Sequence, residues 1–307
     1  MKSTLFGRLS MFLVVLVMVF LAEFTGEKEI IFPEVAALSV GCFLTPFLVW
    51  KTSYFRMILV ISLCALLGVL IVIFVPLSLW WQFVIAFVIG QIVLYFSRTS
   101  FAPLISAIAL PVLIQTRSFV YVIAAIGLTV LVCSLSLLLE KMHLKEENHY
   151  EPVISNIRYV LSVNAFRVIS VALISFFCIR FDWRFCVAPP LLVAFTELTN
   201  KNSGAAKRPF SVVTLVSLCA LCGAVCRISF SSIPYFPLTM VAFVACICVQ
   251  IFVKIFALPF PPAAAMSVLA LLIPESAVMF YPVQVAAGIF VLTIFALGWR
   301  KIMNFEG

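Results

Sequence analysis

Long apolar segments separated by short polar breaks cover almost the whole chain. They run over roughly 9–24, 30–50, 56–76, 79–96, 100–114 and 118–140, and again over roughly 160–180, 185–199, 209–229, 235–256, 259–273 and 279–300. Between the two groups lies a polar linker from Glu140 to Arg158, with Lys141, Lys145, Glu146, Glu147 and Glu151. A helix needs about 20 apolar residues to cross about 30 Å of hydrocarbon. Most segments meet that length. The second and fifth of the second group are shorter, and both begin with paired prolines, Pro189-Pro190 and Pro261-Pro262. Short, proline-broken segments at matching positions of two halves mark the binding region of a transporter. The pattern predicts an all-α polytopic membrane protein of two homologous repeats. Each has about six apolar segments, some short or broken, giving 10–12 transmembrane helices in all. Repeat one covers 1–140, a cytoplasmic linker 141–158, and repeat two 159–307.

Two echoes support a duplication. Ser62-Leu63-Cys64-Ala65-Leu66 returns as Ser217-Leu218-Cys219-Ala220-Leu221, with Gly68 answered by Gly223. Further on, Phe101 and Pro103 are answered by Phe260 and Pro262, and Gln91 by Gln250. Two blocks in one order at nearly one offset point to an internal repeat.

Composition sharpens the class. Of 307 residues, 65% are hydrophobic and 10% charged, with a mean hydropathy of +1.25. Soluble domains carry about 25% charged residues. The formal net charge of +8 fits basic cytoplasmic loops rather than a nucleic-acid partner. With every segment crossing and the N-terminus inside, fourteen of the 20 Lys and Arg residues face the cytoplasm and five face outside, Arg167 lying within a segment. Making the fifth segment of each half re-entrant spoils that split, so parallel repeats with both termini cytoplasmic are expected, in a bacterial inner membrane. Glu23 and Glu27-Lys28-Glu29 follow the first apolar run where a cleavage site would stand, so that run reads as a retained span. The ten cysteines lie inside apolar segments, which argues against a disulfide framework. His143 and His149 sit in the linker, and no metal or other cofactor is expected.

The stretch Pro259-Phe260-Pro261-Pro262-Ala263-Ala264-Ala265 is the candidate site. Proline suits a helix start because its missing N–H has no partner there. Small side chains leave the remaining amides bare, and bare amides at a helix start attract anions. The plainer reading is a helix break with alanines packed against a neighbour. Phe260, Pro261, Pro262, Ala263, Ala264 and Ala265 are the expected binding residues. Gln250 would supply an amide, and Glu197 would gate the cytoplasmic mouth beside the basic loop Lys201 to Arg208. Acids within the segments are limited to Glu197 and end positions such as Glu23. Arg98, Lys254 and Arg167 are expected to reach for the headgroups, and Gln91 and Gln250 either to join helices or to contact a ligand. One working site is expected, in repeat two, because Leu104 and Ile105 shield the matching turn of repeat one.

Pro261-Pro262-Ala263 matches the Pro-Pro-Ala of the HPP family of integral membrane proteins, named for a His-Pro-Pro motif commonly followed by Ala-Gly. Phe260 stands at the histidine position and Ala264 at the glycine. The stretch from Val187 to Asn200 leading into Lys207-Arg208-Pro209, and the block from Ser217 to Gly223, resemble the family's neighbouring segments. Repeat one matches faintly, through Pro103. More distantly, the chain is similar to the fusaric-acid-resistance and aromatic acid exporter families, whose six-span units have a proline-rich second span. The resemblance implies a small-anion carrier or channel, since some HPP proteins are associated with nitrite transport.

The expected function is therefore a transporter or channel for a small anion, nitrite-like or an organic carboxylate. Its partners are that solute and the lipid bilayer, and a homo-oligomer is compatible. The alternative is a non-transporting membrane scaffold or accessory subunit. The segments hold no histidine and few acids, so an enzyme is not expected.

Overall fold

A computed structural model describes residues 2–154, 156–201, 203–231 and 236–303. Among these there are thirteen α-helices and no strand. Repeat one contains α1 (Lys2–Thr25), α2 (Glu34–Phe43), α3 (Tyr54–Phe74), α4 (Leu79–Phe96), α5 (Pro103–Ile114) and α6 (Val120–Lys141). Repeat two contains α7 (Ile157–Arg180), α8 (Pro189–Leu198), α9 (Pro209–Ser231), α10 (Leu238–Phe256), α11 (Pro261–Leu272), the single turn α12 (Glu275–Val278) and α13 (Tyr281–Ile302). Both repeats follow one rhythm of long and short helices, α12 aside. Eight helices are long and apolar enough to cross a membrane. The chain is an integral membrane protein by that measure.

The four short helices, α2, α5, α8 and α11, have 10 or 12 residues. At 1.5 Å per residue that is about 15–18 Å, roughly half of the hydrocarbon. Contacts show how each completes a crossing. After α1 the chain turns back, and the Phe32 amide meets Met18 Sδ at 3.2 Å, well inside the bundle. α2 starts there and ends where Phe43 abuts Gly7, at the end where α1 begins. A non-helical stretch with one 3₁₀ turn, Lys28–Ile30, thus precedes a helical half. Likewise residues 97–102 lead inward from the near end to α5, whose C-terminus reaches Gln82 at the far end through Gln115 (2.8 Å). α8 and α11 repeat this course, and Arg227 at the far end of α9 donates to the Ala270 and Ile273 carbonyls (2.6 Å each). Each repeat therefore crosses six times, and α1 and α13 begin and end at the same end.

The sequence reading treated 30–50 as one full-length segment. It is instead a short helix followed by an apolar loop, in which Trp50 packs beside Gly41 and edge-on to Phe101. Hydropathy misses the break because Leu44, Leu48 and Trp50 continue the apolar run.

Burial sorts the helices into two layers. Large apolar side chains such as Leu59, Ile123, Ile169 and Phe290 are exposed on the long helices, the surface that lipid would cover. The four short helices expose none and form the middle. Matched contacts hold each repeat together. Tyr121 donates to the Ala107 carbonyl (2.9 Å) and Tyr281 to the Met266 carbonyl (2.6 Å), each with an edge-on phenylalanine, Phe32 or Phe185. Between repeats, α2 packs on α11 as α8 packs on α5, and α1 on α10 as α7 on α4. Such exchanged pairing is that of a pseudo-two-fold axis. Because matched helices run the same way, the axis lies along the crossing direction. At the far end, both carboxylate oxygens of Glu23 accept from the first residues of α10, Leu238 and Thr239 (2.7–3.2 Å), a charged cap on a helix start. The linker is tied to repeat one at the near end. Lys145 donates to Ser136 (2.7 Å) and Tyr54 (3.1 Å), and Val153 to the Arg98 carbonyl (2.8 Å). Burial pulls the Lys145 ammonium below its usual range.

Two close backbone approaches are also matched. A methyl group on Gly68 would lie 2.5 Å from the Ile108 carbonyl oxygen, and one on Gly223 only 2.2 Å from that of Ser267. Gly127 and Gly298 have nothing within 4 Å. Gly68→Ala and Gly223→Ala should each lose about 1–3 kcal/mol by overpacking, read as a lower thermal midpoint in detergent. Gly127→Ala and Gly298→Ala should hold or gain slightly, since alanine is the better helix former. Equal effects at all four positions would contradict the matched packing.

Candidate functional site

Four helix starts meet at the centre of the bundle. A cavity of about 10 Å³ is lined by Glu34 and Ala37 of α2, Pro103 and Ser106 of α5, Pro190 and Val193 of α8, and Pro262 and Ala265 of α11. Each helix presents its first turn through two residues three apart. Proline explains why the helices start here. Pro33 precedes α2, and Pro103, Pro189-Pro190 and Pro261-Pro262 open the others. Each fixes the backbone angle of a first turn and removes an amide that would lack a partner.

The electrostatics follow from direction. A helix start carries about half a positive charge from its aligned peptide dipoles. Four aimed at one point sum to roughly two positive charges before screening. Against them stands one carboxylate. Glu34 is 1% exposed, Ser106 donates to its Oε1, and its Oε2 has no hydrogen-bond partner among the described residues. No other ionisable side chain lines the cavity. By this count the centre keeps a positive surplus of about one charge. The four helix starts favour negative charge at their meeting point, where the Glu34 carboxyl stands.

The chain matches no protein-family model, no curated protein and no solved structure.

The sequence-derived residues fall in three places. Pro262 and Ala265 line the central cavity, and Pro261, Phe260, Ala263 and Ala264 are buried around it. Ala263 and Ala264 are closed over by packing rather than open to a ligand, with exposures of 0% and 1%. Glu197 is elsewhere. Its Oε1 accepts from Trp50 Nε1 at 3.2 Å, in the near-end loop of repeat one, and its bonding partner is not one of the cations of 201–208. Gln250 faces α1 and donates to the Arg8 carbonyl (3.3 Å). The expectation of one site confined to repeat two does not hold, because both repeats line the same cavity. Ser106 of the supposedly shielded turn is the residue that reaches Glu34.

Glu34 was missed. The pattern draws attention to Glu197 and to end positions such as Glu23, whereas Glu34 lies inside the apolar 30–50 run and does not stand out. Its signal was available: an acid directly after Pro33, where a helix start favours negative charge.

Arg167 was read as reaching for headgroups, yet it is 6% exposed and bonded inward. It donates to Thr199 Oγ1 (2.8 Å), the Thr196 carbonyl (2.8 Å), Gln91 Oε1 (3.2 Å) and Asn164 Oδ1 (3.2 Å). The guanidinium fork thus ties α4 of repeat one to α7 and α8 of repeat two. Arg167→Leu should cost about 3 kcal/mol or more, because it strands buried acceptors. Arg167→Lys should recover only part, a point charge replacing a planar fork. Denaturation in detergent reads both, and a midpoint unchanged in Arg167→Leu would remove the network from the account of stability.

Proposed function

We propose that this membrane protein carries a small anion through the central cavity, with the transported ion taking the place held by the Glu34 carboxylate. The observation that carries the reading is one unpaired carboxylate oxygen at the meeting point of four helix starts. Such starts favour anions through their dipoles; their first-turn amides are largely spoken for, those of Val35, Ala36, Ile105, Leu191 and Ala263 each donating to a carbonyl (2.7–3.1 Å) rather than standing bare as the sequence suggests. Matched repeats with broken helices at mid-depth are the architecture of secondary carriers.

A cavity of about 10 Å³ has room for at most one water. No larger ion fits it as it stands, so a carrier that rearranges fits the arrangement better than an open channel. The substrate class is a small anion, nitrite-like or an organic carboxylate, since a carboxylate oxygen already fills the position. The match of Pro261-Pro262-Ala263 to the HPP motif falls on this same turn and supports the class. The basic ends of the helices support a cytoplasmic location for the near end, in a bacterial inner membrane.

The density of the centre favours one other reading, a non-transporting scaffold. Flux in proteoliposomes separates the two. Purified protein should move at least one of nitrite, formate and benzoate, and no alkali cation. Ala265→Val should abolish flux by overfilling the cavity, at a stability cost of about 1–3 kcal/mol, whereas Ile105→Val, costing about 0.5–1.5 kcal/mol, should keep flux in the folded fraction. Glu34→Gln should raise apparent anion affinity about tenfold, equivalent to about 1.4 kcal/mol, because the resident negative charge is gone. Folded protein that moves none of the three anions would leave the scaffold reading standing.

A further inference from the structure

A larger cavity lies apart from the centre, and the pseudo-symmetry explains why it is open. It has a volume of about 280 Å³ at the near end, between α1 and α10, and Arg8, Leu44, Gln250, Lys254 and Pro259 are among its lining residues. Its counterpart in the other half is the Arg167 network. There Gln91 of α4 meets Arg167 of α7. Here Gln250 of α10 meets the backbone of Arg8 of α1.

The two sides differ in the helix end that faces the arginine. The cavity-lining pairs align Glu34 with Pro190 and Ala37 with Val193. On that register Val40, Phe43 and Leu44 occupy the places of Thr196, Thr199 and Asn200. Arg167 closes its side because Thr196 and Thr199 accept its protons. On the Arg8 side the cavity lining has Leu44 at the Asn200 place, and Arg8 itself is exposed. Its guanidinium and the Lys254 ammonium form no ion pair and donate no hydrogen bond among the described residues. No carboxylate lines the cavity. Arg208 adds a third cation at the rim, donating to the Ala257 carbonyl (3.4 Å).

The geometry points to a binding site for a phosphate group, held by Arg8 and Lys254 with the Gln250 amide beside them. Arginine and lysine are the residues for phosphate, one through its fork and the other as a point charge. The cavity opens at the near end, where Arg8 lies in the second turn of α1 and Lys254 in the last turn of α10. That is the depth of the headgroups, so the phosphate belongs either to an anionic lipid or to a soluble phosphate.

The test is binding, which is read independently of flux. Full-length protein in phosphatidylcholine nanodiscs is titrated with phosphatidylglycerol, and protein in neutral detergent with inorganic phosphate, following the thermal midpoint. A saturable rise with at least one probe is expected. A rise with phosphatidylglycerol alone assigns the headgroup, and one with phosphate alone the soluble anion. Arg8→Gln and Lys254→Gln should each weaken the effective probe about tenfold, and Lys141→Gln, an exposed cation elsewhere, should match the unmodified protein. No saturable rise with either probe, or a rise kept in full by Arg8→Gln and Lys254→Gln, overturns the site.

Discussion

Backbone amides cannot be left unpaired in hydrocarbon, where each costs several kcal/mol. A helix that starts in mid-membrane has amides with no partner in its own turns. This protein starts four helices there, and most of its design answers that difficulty. Prolines remove some of the amides outright. The four short helices are wholly enclosed by eight long ones, so lipid does not reach their starts. The starts face each other rather than the bilayer, and Glu34 with Ser106 places a polar pair among them.

Enclosure needs close packing, and close packing needs small residues at fixed places. Gly68 and Gly223 let one backbone lie against another where any side chain would collide. Tyr121 and Tyr281 then pin the short helices through their carbonyls. The long helices contribute apolar outer faces and polar inner contacts. Arg167 is the extreme case, a charge held inside by groups from three helices.

Much of the fold was legible in the sequence, because span length and duplication are written in composition and repetition. Pro189-Pro190 and Pro261-Pro262 marked two of the short helices. The break after Phe43 was hidden, since the following loop is as apolar as a helix. The centre itself was half legible. Pro262 and Ala265 were found through their local pattern, whereas Glu34 and Ser106 join them only through the meeting of separate segments. Gln250 and Glu197 were misplaced for the same reason. Hydropathy gives the approximate length of an apolar run, but neither a break within it nor which side chains from different segments share a depth and a face.

The exchanged contacts of α2 with α11 and α8 with α5 have a historical meaning. They are arranged as in a two-fold dimer whose subunits are joined by a linker, the arrangement that an internal duplication would leave. In a true homodimer any residue beside the axis occurs twice. An acid at the position of Glu34 would then face its own copy across a cavity the size of one water, and two like charges that close cannot both ionise. Fusion lifts that restriction. Once the halves share one chain they diverge separately, and proline can occupy the Pro190 position opposite glutamate. A lone carboxylate with no twin beside it is an option open to a fused pair and closed to a symmetric one.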